Sequence, residues 1–338
     1  MKTEVLPTHT KALFAAAVQR AAELLCAGEV VALPTETVYG LAANALDENA
    51  VAKIFQIKGR PSHNPIIVHV ADNDLVAHCV KNFPPLAEKF SRAFWPGPLT
   101  LVLPRGKQIP DAVTAGGETV GIRWPSHPLM QAVIRECGFP LAAPSANLSN
   151  QISPTNAAHV RAQLDGKIPL IGDGGQSPVG IESTVLDLTS EPPRILRPGM
   201  IHAESLAAVG GEIKNEKLKM KNADGALRSP GMLEKHYSPK AKLLVLNWHD
   251  DADLKHQLSA FRFPLSAFCL LVHTKIPAGF LPENVSVIPH DAEAFARALY
   301  GELHRCDAAG AKLIVVEAPP ETAEWSGIAD RLRRAAAE

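Results

Sequence analysis

LTLVLPRGKQIPDAVTAGGETVGIRW, residues 99–124, decides the fold class of the first half of the chain. Leu99–Leu103 is an apolar run of strand length, and Thr119–Trp124 is a second, with Gly116-Gly117 as punctuation between them. Two strands in such close succession indicate an α/β domain with a mixed sheet, because a purely parallel sheet would alternate strand and helix throughout.

Upstream, Thr10 caps an alanine-rich helical pattern over 11–27 that Gly28 stops. Val30–Leu33 is a short buried strand ending in the polar loop Pro34-Thr35-Glu36-Thr37. Asp47 opens a helix through Ile57, Pro65–Val70 is strand-like, and Pro84–Phe94 is helical. Downstream, Ser126 is expected to cap a helix through Cys137 and Pro140–Ala143 is a strand. Thr155–Leu164 is a capped helix, and short strands follow at Pro169–Ile171, Thr184–Leu188 and Arg194–Leu196. Residues 210–231, GGEIKNEKLKMKNADGALRSPG, are polar and read as a linker. Strand patterns at Lys242–Leu246, Ala267–Val272 and Lys312–Val316, with helices at 250–261, 291–309 and 324–337, predict a smaller Rossmann-like α/β domain.

The chain has 338 residues, 46% hydrophobic and 20% charged, as expected of a globular protein with about two domains. Its formal net charge of -1 argues against a protein devoted to gripping nucleic acid. Five cysteines without CxxC spacing argue against a disulfide framework or a thiolate zinc site. An N-terminus without an apolar h-region, and no run of about 18 apolar residues, set the expectation of a cytoplasmic protein with no membrane association.

No Walker A, GxGxxG or HExxH pattern is present. The chemistry-bearing residues instead occupy polar loops at strand ends, where ligands collect. Thr35-Glu36-Thr37 suits a small polar substrate or a metal-bound phosphate, or is a capped turn. Lys58 and Arg60 can neutralise phosphate, or merely complement a helix C-terminus. Pro144-Ser145-Ala146-Asn147 and Gly180-Ile181-Glu182-Ser183-Thr184 offer hydroxyls and backbone N–H groups. Arg123 and Arg197 sit at strand ends beside prolines, and His69 is at an inside strand position. Physical chemistry alone stops at a site for a nucleotide or another polyanion.

KGRPSHNPIIVHV (58–70), PGPLTLVL (96–103), GIRWPSHP (121–128), APSANLSN (143–150), GIESTVLDL (180–188) and ILRPG (195–199) together resemble the YrdC-like domain, over about residues 12–205. SPGMLEKHYSPKA (229–241), in a linker taken as 206–240, and the domain over 241–338 resemble the long form of the threonylcarbamoyl-AMP synthases. Asn44 stands where that family more often has Asp.

The resemblance implies synthesis of threonylcarbamoyl-adenylate from L-threonine, bicarbonate or CO2, and ATP, with release of pyrophosphate. A separate tRNA threonylcarbamoyl-transfer complex would use the product, so stable tRNA binding is not expected. By the same resemblance Thr37, His69, Arg123, Ala143 and Ser183 would hold threonine. Arg60, Asn64, Thr119, Ser145, Ser153, Arg197, His236 and Tyr237 would hold ATP or the adenylate. Lys58, Arg60, Ser145 and Asn147 would surround the phosphates as the catalytic set. Mg2+ would enter with ATP, without a dedicated protein metal site. From its composition, the linker, tethered at both ends, is either a lid, with Lys219, Lys221 and Arg228 shielded when ligands bind, or a passive tether. The rival readings are an RNA-binding module and a carbamoyl-transfer enzyme; the latter class also carries an acylphosphatase-like domain and cysteine-rich motifs, neither visible in the sequence.

Overall fold

The structure, a computed structural model, describes residues 2–214, 236–261 and 263–337. Two compact units emerge, Met1–Ser149 with Ser153–Leu233, and Asn150–Ile152 with Glu234–Glu338.

The first unit runs β1 (Glu4–Pro7), α1 (Lys11–Cys26), β2 (Val31–Leu33), β3 (Gly40–Asn44), α2 (Glu48–Lys58), β4 (Val68–His69), α3 (Asn73–Cys79) and α4 (Pro85–Phe94). It continues β5 (Leu99–Pro104), α5 (Asp111–Thr114), β6 (Thr119–Arg123), α6 (Pro128–Cys137), β7 (Leu141–Ala142), α7 (Ala157–Leu164), β8 (Leu170–Asp173), β9 (Thr184–Asp187), β10 (Arg194–Arg197) and α8 (Ala203–Gly210). Its strands form one sheet in the order β1-β8-β2-β3-β7-β4-β6-β5-β9-β10. Pairing is mixed, as residues 99–124 predict: β5 is antiparallel to β6 but parallel to β9, and β4 is parallel to β6.

Local chemistry explains most element boundaries. Thr10 and Asp47 cap α1 and α2 as expected, and Gly59 ends α2 in the left-handed region at φ 60°, a conformation that favours glycine. The α6 cap differs from expectation. His127, not Ser126, accepts from the Leu129 N–H, because the helix starts at Pro128 and His127 is therefore the residue at the cap position; the Ser126 N–H donates to Glu36 Oε2 at 3.0 Å. Residues 206–210, at the start of the expected linker, belong to α8, where Gly210 lies against the Phe90 ring of α4. The lid residues Lys219, Lys221 and Arg228 lie outside the described residues.

Strand alternation divides the central sheet into two unlike faces. Leu99, Leu101 and Leu103 of β5, Val120 and Ile122 of β6, and Val68 of β4 point into the main apolar core. The opposite face carries Thr100 and Val102 of β5, Thr119, Gly121 and Arg123 of β6, and His69 of β4. A register irregularity between Ile195 and Arg197 lets both Leu196 and Arg197 serve this second face. Leu196 packs with Val102 and Val185, while Arg197 reaches the Ser183 hydroxyl at 3.1 Å. One sheet therefore supplies a hydrophobic core beneath and a polar platform above.

The second unit has β11 (Lys242–Leu246), α9 (Asp251–Leu258), β12 (Phe268–Val272), β13 (Val285–Val287), α10 (Ala292–Ala308), β14 (Leu313–Glu317) and α11 (Ser326–Ala335). Its strands are all parallel, in the order β11-β14-β12-β13, which fits the layered α/β pattern expected. Trp248, Leu254, Phe268, Leu270 and Val315 anchor its core. Among the described residues, no helix is long and apolar enough to cross a membrane.

Candidate active site

Arg123, at the end of β6, is 4% exposed and is fixed on several sides. Its Nη1 donates to Thr37 Oγ1 at 2.9 Å and its Nη2 to Thr35 Oγ1 at 3.3 Å, while Nη2 lies 2.7 Å from Glu36 Oε1. Thr35 and Thr37 are themselves joined hydroxyl to hydroxyl at 2.8 Å. The short polar loop after β2 thus grips one edge of the guanidinium, and the buried Glu36 carboxylate neutralises it. The Arg123 Nε has no partner among the described residues.

His69 is the register neighbour of Arg123, on the adjacent parallel strand. Burial, and then the Arg123 charge, push its pKa down to about 3, and Nδ1 has no partner among the described residues. The ring is neutral at ordinary pH and offers a lone pair rather than a charge. Since the folded pKa lies below the usual 6.5, the unfolded state binds the proton more readily. The stability linked to His69 is therefore complete above that pH and declines as pH falls from it toward 3. His69→Gln is expected to flatten the acid side of a chemical-unfolding profile. An unchanged slope in the variant would assign the acid sensitivity elsewhere.

The phosphate-type residues form a second group. Lys58 Nζ donates to Ser145 O and Asn147 O, each at 2.5 Å, and approaches Asn147 Oδ1 at 3.4 Å. The Ser149 N–H closes the clamp onto Lys58 O at 2.8 Å. The expected mobile point charge is thus occupied in holding the Ser145–Asn147 loop. Burial, followed by the Arg60 charge, draws the Lys58 ammonium well below the usual lysine range. Arg60 donates from Nε to Asn64 O and from Nη2 to Pro65 O, which orders the turn after α2. The Asn64 side-chain amide is fully buried, yet neither Oδ1 nor Nδ2 has a partner among the described residues. Such a group is costly to leave unsatisfied.

Thr119 opens β6 on the same face as Arg123, four residues away, and pairs with Pro104 of β5, while Arg123 pairs with His69. Gly40 bridges to Ser145, the Leu41 N–H donates to Pro144 O and the Ala146 N–H to Tyr39 O, tying the Ser145 loop to the chain leaving the Thr35 loop. Ala143 is held by its N–H on Ile67 O at 3.0 Å, next to β4. Ser183 bonds Thr100 Oγ1 at 2.8 Å and receives Arg197 at its carbonyl and hydroxyl. Ser153 donates to Glu182 Oε1 at 2.6 Å.

His236 and Tyr237 belong to the second unit. The Tyr237 backbone is left-handed at φ 62°, an uncommon state for a bulky residue. Its ring stacks on Tyr300 at 5.9 Å and lies 5.4 Å from the Arg331 guanidinium carbon. Sequence reasoning did not assign roles to Thr35, Glu36, Thr100 and Glu182. Thr100 had left a signal, a lone hydroxyl inside LTLVL, and Glu36 and Glu182 are carboxylates inside loops already singled out.

Among the described residues, no group of three or more His, Cys, Asp or Glu side chains could hold a metal. Glu36 and Glu182 are engaged by Arg123 and Ser153. The remaining hydroxyl and amide oxygens fit a hard cation bound mainly through phosphates.

Fold and site define a YrdC-like α/β domain with a polar platform on one face of its sheet, and the chain continues into a parallel-sheet domain. The family described as "Telomere recombination" matches residues 23–199, and that described as "Threonylcarbamoyl-AMP synthase, C-terminal domain" matches 201–337. Threonylcarbamoyl-AMP synthase of Pyrococcus abyssi is 39% identical, covering 93% of this chain and 92% of the relative. That of Bacillus subtilis is 41% identical, covering 94% and 92%. The crystal structure of P. abyssi Sua5 complexed with L-threonine is similar, at TM-score 0.89, 36% identity, and coverage of 99% and 98%. The chain belongs to the threonylcarbamoyl-AMP synthase family.

Proposed function

We propose that the protein makes L-threonylcarbamoyl-adenylate from L-threonine, bicarbonate or CO2, and ATP, releasing pyrophosphate. One observation carries the reading on this chain: buried polar side-chain atoms of Asn64 and of the register neighbours His69 and Arg123 have no partner among the described residues. Arg123 takes the threonine carboxylate, helped by Thr37, Ser183 and the backbone at Ala143, with neutral His69 accepting a hydrogen bond from the amino acid. Asn64, Thr119, Ser145, Ser153 and Arg197 hold the nucleotide, and Arg60 faces its phosphates.

The threonine amine attacks CO2, or bicarbonate with loss of water, to form an N-carboxylate. A carboxylate oxygen then attacks the α-phosphorus as pyrophosphate departs. No covalent enzyme intermediate is required, so the side chains act by positioning and by stabilising phosphoryl charge. Mg2+ arrives bound to ATP and offsets charge on the leaving phosphates. Lys58 acts through the Ser145–Asn147 loop. The product passes to a separate complex that modifies tRNA, so the enzyme needs no stable hold on tRNA and works in the cytoplasm.

The test is pyrophosphate release with each substrate omitted in turn. Release is expected only when ATP, threonine and bicarbonate are all present, with the mixed anhydride identified by mass. Equal release from ATP alone would make the protein an ordinary ATPase. Tight, salt-sensitive RNA binding without turnover would favour the RNA-binding reading instead.

A further inference from the structure

Gly121 occupies the middle of β6, in the interior of the sheet. Glycine weakens a strand interior, and where it persists it marks a bulge, a bend, or a close approach by another group. The protein itself does not demand glycine here. The backbone is not in the left-handed region. A Cβ would meet Thr100 Cγ2 at 3.3 Å, Ile67 Cγ1 at 3.6 Å and Val102 Cγ2 at 4.0 Å. None of these is a backbone clash, and an alanine fits if the Thr100 methyl gives by a few tenths of an ångström. Elsewhere in the same unit the packing reason is plain: a Cβ at Gly172 would lie 2.8 Å from Leu129 Cδ2, and one at Gly199 would lie 2.5 Å from the Thr184 nitrogen.

A second observation points upward from the strand. Gly121 is partly exposed, although Ile67 and Thr100 on the flanking strands are buried. Its open side is the platform, on the same face as Thr119 and Arg123, each two residues away. Two residues of strand cover about 7 Å, so Gly121 lies midway between the nucleotide end and the amino-acid end. In threonylcarbamoyl-adenylate a few covalent bonds separate the threonine carboxylate from the α-phosphorus.

We infer that Gly121 is the open floor over which the N-carboxylate of threonine meets the α-phosphate of ATP, its missing side chain letting the reacting atoms approach. The inference rests on the proposed reaction. A side chain at this point leaves each substrate its own end of the platform but keeps the reacting atoms apart. The step it governs forms the bond from carboxylate oxygen to α-phosphorus and breaks the bond to the pyrophosphate oxygen.

Gly121→Ala and Gly121→Val test this against the wild-type enzyme in three measurements: thermal midpoint, separate calorimetric titrations of ATP and threonine, and turnover. The expected result for Gly121→Ala is a midpoint equal to or above wild type, since alanine suits a strand better than glycine. Its separate affinities should stay within about threefold and turnover should fall about tenfold; for Gly121→Val turnover should fall further. Turnover of Gly121→Ala within twofold of wild type would overturn the inference. So would a lower midpoint with parallel loss of both affinities, which is the signature of a packing role. Wild-type turnover in the same assay judges the proposed reaction separately, because the inference concerns only the ratio of variant to wild type.

Discussion

Arg123→Lys is expected to lower turnover by about 100-fold or more and to weaken threonine binding far more than ATP binding. The guanidinium is held by Thr35, Thr37 and Glu36 along one edge, which leaves Nε free. A lysine ammonium is a compact point charge and cannot serve three protein partners and a ligand carboxylate from one position. If it turns to Glu36, the ligand is lost; if it turns to the ligand, Glu36 is left buried at 4% exposure without its cation. Removing one member of a buried ion pair costs about 3–5 kcal/mol, and retaining a positive charge should limit the cost to part of that. Calorimetric titration of each ligand, with the thermal midpoint as a control for folding, measures the outcome. Equal losses of affinity for ATP and threonine would remove Arg123 from the amino-acid end of the platform.

The placement of Arg123 illustrates what the sequence made legible. The strand pair around Gly116-Gly117, the caps at Thr10 and Asp47, and the parallel second sheet all follow from local patterns of apolar residues, capping side chains and glycine. Elements whose signal is not local were not readable. Glu4–Pro7 is a strand only because it pairs with Leu170–Asp173, more than 160 residues away by the Cα register. Gly40–Asn44, GLAAN, is buried between two strands yet has no β-branched residue to announce it. Val285–Val287 is three residues long and depends on pairing with β12.

The same distinction applies to the site. Residue types pointed to anion chemistry at Lys58, Arg60, Arg123 and Arg197, but types do not reveal where donors are spent. The Ser126 N–H is used on Glu36, and only the fold brings those two loops together. His69 could be joined to Arg123 only after the β4–β6 register was known. Thr35 and Glu36 were visible as a polar loop, and their grip on Arg123 depends on a pairing of side chains 86 to 88 positions apart.

Lys58→Met is expected to reduce turnover about 100-fold while changing the thermal midpoint little. The ammonium supplies donors to Ser145 O and Asn147 O, so its loss frees the loop that carries Ser145 and Asn147. Two carbonyls then lose a partner, at about 1–3 kcal/mol each if they stay buried, but the cost of burying an ammonium disappears as well. Amide exchange should accelerate at Ala146–Ser149, a readout that a direct phosphate contact would not produce. The proton linkage gives a second signature. With the Lys58 pKa drawn below its usual 10.5, the folded protein releases this proton at lower pH than the unfolded chain. Stability therefore rises with pH across that window, because the unfolded state binds more protons there. Activity falls over the same window, since the neutral amine has one donor fewer for the loop oxygens. Opposite slopes for stability and turnover in the wild-type enzyme, both absent from Lys58→Met, are the expected pattern. Unchanged loop exchange with a selective loss of ATP affinity would instead assign Lys58 to the phosphates directly.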